Sequence, residues 1–167
     1  MEYNKIGYSL WITPEKRVFK KLQKIINKFS NNYKTPKFKP HITIHSYLNK
    51  KKISKIKFKN EKKFKINLTK IVYGKTYFNS VFFKINKDKY INSFYRKTLK
   101  FAHKTKFKPH LSIVYTNNKI IKKKIYNEML LEKNLKKKVY VQSVKVIKFN
   151  EIKKKWKIVK NYNLIGK

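Results

Sequence analysis

A five-residue segment occurs twice in the chain, and this duplication is the strongest constraint on its fold. Residues 37–41 read Lys-Phe-Lys-Pro-His, and residues 106–110 repeat them without change. Each copy follows a predicted strand and an amphipathic helix, and each continues into an apolar stretch. A strand–helix–strand unit that occurs twice predicts a two-lobed fold with internal pseudo-symmetry.

Hydrophobic periodicity predicts alternating strands and helices along the rest of the chain. The predicted strands lie near residues 8–12, 41–48, 64–72, 77–85, 108–115, 139–149 and 156–164, and the predicted helices near 18–29, 91–102 and 121–129. Thr13 and Pro14 are expected to begin the first helix, with Thr13 as its capping hydroxyl. Because no low-complexity linker divides the sequence, we expect an α+β fold in one bilobal domain over residues 1–167.

The chain is strongly basic, with 46 lysines and arginines against 7 acids and a net charge of +39. Such a field attracts polyanions, and that binding weakens with salt, so non-specific RNA binding is expected. The charge also has a compositional explanation, because Lys, Asn, Ile, Tyr and Phe are all over-used, as in AT-rich coding. The lysines are scattered over the whole chain, which favours this second explanation.

Several classes of protein are disfavoured by what the chain lacks. It has no cysteine, and its seven carboxylates are spread too thinly for a carboxylate-rich metal site, so neither a metal nor a cofactor is expected. No apolar run approaches the roughly 20 residues of a membrane span, and the first residues do not resemble a signal peptide. We expect a soluble, cytoplasmic and monomeric protein with no membrane partner.

Histidines are therefore the remaining general acids and bases near neutral pH. In a strand, residues two apart share a face, so His41 lies beside Thr43, and His110 lies beside Ser112. Phosphodiester cleavage without a metal needs one imidazole as base, one as acid, and hydroxyls that bind the phosphate oxygens. The sequence thus predicts His41 and His110 as catalytic residues, with Thr43 and Ser112 as phosphate-binding residues.

Two further histidines are weaker candidates. His103 is also followed two positions later by a threonine, but it lies at the end of a predicted helix, where it is expected to face solvent. His45 shares the predicted strand face of His41 and Thr43. It is either a third contact to substrate or a strand-end residue in solvent.

The paired motifs resemble those of the 2H phosphoesterases, and the chain is most similar to the small plant and fungal cyclic phosphodiesterases. The likeness covers nearly the whole chain and includes residues 9–12, 40–43, 77–81 and 109–115, together with Trp156 and Leu164. The resemblance implies two antiparallel sheets with flanking helices around a central cleft. It also implies metal-independent hydrolysis of 2′,3′-cyclic nucleotides, RNA ends or the cyclic phosphate of ADP-ribose.

The resemblance also places Tyr115 in the substrate cleft, whereas regular strand alternation places it on the opposite face with Leu111 and Ile113. The family pattern usually has glycine where this chain has Thr116, so the following loop is a point of difference.

Two other functions remain open from the sequence. Relatives within the 2H phosphoesterases cleave 2′–5′ oligoadenylates or cyclic dinucleotides, which would counter host defence signals and needs the same two histidines. A basic RNA-binding protein without catalysis would account for the charge, but it would not need two matched histidines.

Overall fold

The computed structural model describes residues 6–103, 106–132, 137–150 and 155–166. Within this part of the chain lie seven strands and three α-helices, together with short 3-10 turns at Lys50–Lys55 and Leu99–Phe101. In chain order the elements are β1 (Ile6–Pro14), α1 (Lys16–Tyr33), β2 (Ile42–His45), β3 (Lys65–Tyr73), β4 (Val81–Ile85), α2 (Lys89–Thr98), β5 (His110–Val114), α3 (Lys119–Leu131), β6 (Lys138–Asn150) and β7 (Lys155–Asn163). None of the described helices has the length and apolar character that crossing a membrane requires.

The strands pair in the order β1-β2-β5-β4-β3-β6-β7, and every pairing between them is antiparallel. A further pairing of β1 with β6 closes six strands into a ring and leaves β7 at the outer edge. The antiparallel α+β architecture with flanking helices is confirmed. The two lobes are continuous through hydrogen-bonded strands, because β2 of the first copy pairs with β5 of the second.

The helices cover the apolar face of this sheet and form one core with it. From α1, Val18, Leu22 and Phe29 are buried in that core together with β-strand residues from both lobes. Ile91 and Phe94 of α2 and Ile125 of α3 complete the contacts. Because the helices occupy this face, the opposite face of the central strands is left to form a cleft.

The first helix starts later than predicted. β1 continues through Pro14 because its edge pairs with β6, and the Thr13 hydroxyl forms a 2.6 Å hydrogen bond with Ser143 on that strand. Thr13 is therefore not a capping residue, and α1 begins at Lys16 after an N-cap, Glu15, whose side chain makes no capping hydrogen bond. Asp88, by contrast, caps α2 by accepting hydrogen bonds from two backbone amides of its first turn.

An extra residue, Ile44, interrupts the regular alternation of β2. Thr43 lies opposite Trp11 on β1, but His45 lies opposite the adjacent Leu10, so two residues of β2 oppose one position of β1. Such a β-bulge shifts the strand residue that follows it to the other face of the sheet.

The second copy contains the same irregularity in β5. Ser112 lies opposite Phe82 of β4, but Val114 lies opposite the adjacent Val81, so Ile113 is the extra residue. Both bulges thus fall three positions after a motif histidine. The pseudo-symmetry expected from the repeated segment extends to the backbone irregularities that follow it.

Candidate active site

A cleft of about 300 Å³ lies on the face of the sheet opposite the helices. Its described lining contains no lysine, arginine or carboxylate and consists of Ser9, Trp11, His41, Thr43, Ser46, Tyr47, Phe78, Asn79, His110, Ser112, Tyr115, Phe149, Asn150 and Trp156. A larger cavity of about 420 Å³ lies elsewhere, beside α2 and Lys97, but no histidine lines it. The cleft is therefore where acid–base chemistry can occur.

The two repeated segments give their histidines the same local geometry. His41 Nδ1 lies 2.7 Å from the Lys39 carbonyl oxygen, and His110 Nδ1 lies 2.9 Å from that of Lys108. A carbonyl oxygen only accepts hydrogen bonds, so each Nδ1 carries a proton and donates it. The identical Lys-Pro-His sequences therefore set the same tautomer twice. In the neutral ring, Nε2 is then free to accept a proton.

The pairing of β2 with β5 brings the two motifs side by side. Ile42 lies opposite Leu111, so the antiparallel register sets His41 across from Ser112 and Thr43 across from His110. The two histidines are diagonal neighbours, a relation for which strand geometry gives about 7–8 Å between backbones. A phosphate can therefore lie between the two imidazoles with a hydroxyl on either side.

Burial makes the two imidazoles unequal. The His41 ring stacks on Trp11 with 3.4 Å between centroids, and only 8% of the residue is exposed. Burial lowers the pKa of His41 to about 4, with a smaller lowering from the charge of His110 and an opposing contribution from the Lys39 carbonyl. Burial also lowers the pKa of His110, opposed by the Lys108 carbonyl. In the free protein, His41 is thus the stronger candidate for the neutral base.

Both predicted phosphate-binding hydroxyls line the cleft. Thr43 is half-buried on β2, and Ser112 is buried on β5. The Ser112 hydroxyl donates a 3.0 Å hydrogen bond to the Phe78 carbonyl. Ser112 must therefore give up this bond before it can donate to a phosphate oxygen, whereas it can accept without any change.

Tyr115 lies in the cleft, and the bulge at Ile113 explains why. Regular alternation would have placed Tyr115 with the core residues, so the expectation based on strand parity was wrong. Its ring stacks on Phe38 with 4.0 Å between centroids, and burial raises the pKa of its hydroxyl, opposed by a hydrogen bond with Ser112. The phenol is therefore a neutral hydrogen-bond donor at physiological pH.

His45 does not share a face with His41 and Thr43, because the bulge at Ile44 turns it away from the cleft. It is 1% exposed, its Nε2 lies 2.8 Å from the Thr98 hydroxyl of α2, and its ring stacks on Tyr95. Burial lowers the pKa of His45 to about 4. The imidazole is a neutral polar link between β2 and α2, and it lies neither in solvent nor beside a substrate.

Ser46 lines the cleft, where regular alternation would have placed His45. In the first copy of the repeat, Ser46 corresponds to Tyr115 of the second copy. His103, the third histidine with a hydroxyl residue two positions later, is exposed after α2 and does not line the cleft.

Two polar cleft residues were missed by the sequence analysis. Ser9 Oγ and Asn79 Oδ1 are buried, line the cleft and have no hydrogen-bond partner in the described part of the chain. A buried polar atom without a partner is costly, so both are suited to bind a ligand. The signal for Ser9 was its position two residues before Trp11 on the same strand face; Asn79 lies in a loop and gave no such signal.

Residues 74–80, which carry Phe78 and Asn79, form a tight loop. The predicted strand 77–85 therefore begins only at Val81. The loop is closed by a 2.6 Å hydrogen bond from the Gly74 amide to the Ser80 carbonyl, and the Ser80 hydroxyl bonds to both backbone groups of Thr116. These contacts hold the loop against the end of β5.

No group of three metal-ligating side chains (His, Asp or Glu) occurs among the described residues. The polar side-chain groups that line the cleft are therefore the imidazoles, the hydroxyls and the Asn79 and Asn150 amides.

Comparison with known proteins identifies the family. The sequence matches the family described as cyclic phosphodiesterase-like protein over residues 6–166. Comparison with curated proteins gave no match. Among solved structures, E. coli LigT complexed with 3′-AMP is 9% identical, with a TM-score of 0.59 over 96% of this chain and 98% of that one. E. coli LigT complexed with NADP+ is 10% identical, with a TM-score of 0.59 over 95% and 97% of the two chains.

A further structure, described as a phosphoesterase, is 10% identical, with a TM-score of 0.55 over 96% of this chain and 98% of that chain. At these identities the likeness shows a shared fold. Since the family match runs from β1 to beyond β7, the chain belongs to the cyclic phosphodiesterase-like family of phosphoesterases.

Proposed function

We propose that this protein is a metal-independent phosphodiesterase that opens a cyclic phosphate. Its substrate would be a 2′,3′-cyclic nucleotide, an RNA end with that group, or the cyclic phosphate of ADP-ribose. The observation that carries the proposal is the pair of histidines, each with Nδ1 held by a backbone carbonyl, beside two hydroxyls in one cleft. Family membership supports the same class of reaction.

The proposed reaction is hydrolysis with a proton transferred at each end. His41, whose pKa is lowered by burial, takes a proton from the attacking water through Nε2. The water oxygen bonds to phosphorus, and one ester bond to the sugar breaks. Protonated His110 gives its proton to the sugar oxygen that leaves. The products are a phosphate monoester and a free hydroxyl, and the next cycle begins once the two histidines exchange protons with solvent.

The charge that develops on the non-bridging phosphate oxygens needs hydrogen-bond donors. Thr43 and Tyr115 are suited to supply them, and burial keeps the Tyr115 phenol protonated. Ser112 becomes a further donor once its hydroxyl leaves the Phe78 carbonyl. A hydrogen bond to a charged group contributes about 1.5–3 kcal/mol, which makes these contacts important but secondary to proton transfer.

The walls of the cleft suit a nucleoside. Tyr47, Phe78 and Trp156 offer aromatic faces, and Ser9 and Asn79 offer polar atoms without protein partners. Bases stack on aromatic side chains with about 1–3 kcal/mol per base. The E. coli LigT structures complexed with 3′-AMP, ATP and NADP+ support a ligand of this kind.

A substrate screen with EDTA present tests the proposal. The panel contains 2′,3′-cyclic nucleotides, ADP-ribose cyclic phosphate, 2′–5′ oligoadenylates and cyclic dinucleotides, and chromatography identifies each product. Opening of a cyclic phosphate at full rate in EDTA is expected. Cleavage of only the oligoadenylates or cyclic dinucleotides would assign the same site to a signalling molecule. Cleavage of none, together with tight RNA binding, would favour a binding protein.

A further inference from the structure

A second cavity, of about 410 Å³, adjoins the active-site cleft. The linings of the two cavities share Trp11, His41 and Trp156, so the cavities meet at these three rings. We call this second cavity the lysine groove, because Lys37, Lys39, Lys145 and Lys157 line it.

The groove and the cleft differ sharply in charge. Four lysines line the groove, whereas no cationic side chain is among the described residues that line the cleft. The described lining of the groove also contains no carboxylate that could neutralise these lysines. A positive potential is therefore concentrated directly beside the catalytic His41.

The lysines of the groove also affect one another. Lys145 lies on β6 opposite Trp11, and burial lowers its pKa, with a further lowering from the positive charge of Lys39. Lys145 is half-buried and Lys39 is exposed, and the repulsion between their two positive charges costs free energy in the unliganded protein. An anion between them would offset this repulsion.

We propose that the lysine groove is a second anion-binding subsite, which holds a phosphate of the substrate other than the one that is cleaved. This inference rests on the proposed function and narrows its substrate class. The preferred substrate is then a nucleotide with at least one further phosphate group, such as an oligonucleotide that ends in a cyclic phosphate. A cyclic mononucleotide fills the cleft alone and leaves the groove empty.

Lysines suit such a subsite for a physical reason. An ammonium group binds phosphate as a point charge with three donors and tolerates several orientations, so it recognises the charge and not the base. The groove would therefore select for the number of phosphates, while the aromatic walls of the cleft bind the nucleoside.

Binding measured without turnover tests the groove independently of catalysis. The probes are 3′-AMP and adenosine 3′,5′-bisphosphate, whose affinities are compared by calorimetry at roughly physiological salt. We expect the wild-type protein to bind the bisphosphate more tightly than 3′-AMP. In the double variant Lys145→Gln, Lys157→Gln, the ratio of these two affinities should fall about tenfold. The matched control removes the same charge from the exposed face of α3, in Lys119→Gln, Lys123→Gln.

The control distinguishes an effect of the groove lysines from the general electrostatic attraction of a chain with a net charge of +39. An unchanged preference in the groove variant, or an equal loss in the control, would overturn the proposed subsite. A preference that depends on the groove, in a protein that cleaves none of the cyclic phosphates, would support the subsite and defeat the proposed reaction. The two failures are therefore distinguishable.

Discussion

At the scale of single residues, the two catalytic candidates occupy different environments despite identical preceding sequences. His41 stacks on Trp11 and is almost fully buried, whereas the more exposed His110 meets Phe82 edge-on, with 5.1 Å between ring centroids. Neighbouring aromatic rings and burial thus give different surroundings to two imidazoles that the repeated sequence would make alike. This difference in environment is what favours one imidazole as the base and the other as the acid.

The first prediction concerns the pH dependence of kcat/KM, which reports the free enzyme. Activity should rise as His41 loses its proton, at a pKa of about 4, and fall as His110 loses its own. Because burial lowers the pKa of His110 below its ordinary value, the optimum should be acidic. An initial-rate profile with 2′,3′-cyclic AMP checks this expectation. An optimum above pH 7.5 would contradict the role of burial, since about 6.5 is the ordinary histidine pKa.

The second prediction concerns the hydroxyls. Thr43→Ala and Ser112→Ala should each lower kcat/KM by about ten- to a hundredfold, because a hydrogen bond to the charged phosphate is lost while proton transfer remains. Thr69→Ala, on β3 outside the cleft, is the matched control and should be neutral. If either cleft variant kept wild-type kcat/KM, its hydroxyl would not bind the phosphate.

The sequence located the motif histidines and hydroxyls because each pair lies before its bulge, where strand alternation still holds. His45 and Tyr115 lie after the bulges, and there alternation gave the wrong face for both. The position of a bulge depends on the pairing with the neighbouring strand. Ile44 and Ile113 are residues common in regular strands, so the local sequence does not reveal either bulge. The resemblance to known sequences placed Tyr115 correctly because it does not depend on alternation.

At the scale of elements, the loop of residues 74–80 shapes one wall of the cleft. A Cβ atom added to Gly74 would lie 1.6 Å from the Asn79 carbonyl oxygen, so only glycine allows this closure. On the other side, Lys122 of α3 reaches the Gly74 and Lys75 carbonyls, each at 3.4 Å. The strand predicted here is shorter in the structure, because residues up to Ser80 belong to the loop and the Ser80 hydroxyl bonds to the distant Thr116, a contact that local periodicity does not contain.

The third prediction follows from this close approach. Gly74→Ala should destabilise the protein by about 1–3 kcal/mol, as overpacking does, and should lower kcat/KM by displacing Asn79 and Phe78. Lys75→Ala, in the same loop but exposed, should change neither quantity. Thermal unfolding and kinetics on the same samples check both. A Gly74→Ala variant with unchanged melting temperature and activity would show that the loop adapts freely.

At the scale of the whole molecule, the charge and the cleft are separate features. The net charge is +39, yet the described residues that line the cleft include no lysine or arginine. The sequence predicted the antiparallel α+β fold from the repeated unit and the family likeness, and the pairing of β2 with β5 bears this out. The loop boundaries and the unpaired Asn79 oxygen were not predictable, because both depend on contacts between distant segments.

The fourth prediction separates these two features. Long RNA should bind non-specifically, and its affinity should fall steeply between low and roughly physiological salt, because counterion release drives this binding. Turnover of a cyclic mononucleotide should change little, since short-range contacts within the cleft hold it. His110→Ala should keep the RNA affinity. Loss of RNA binding in that variant would mean that the histidine belongs to an RNA site.

The central claim, that His41 and His110 act as a pair without a metal, is tested most directly by single-histidine variants in EDTA. We expect His41→Ala and His110→Ala each to lower kcat by about 10²–10⁴ while circular dichroism shows the native fold. His103→Ala, which removes an exposed histidine outside the cleft, should retain wild-type activity. A folded His41 or His110 variant within about tenfold of wild type, or activity that disappears in EDTA and returns with a metal, would contradict the account.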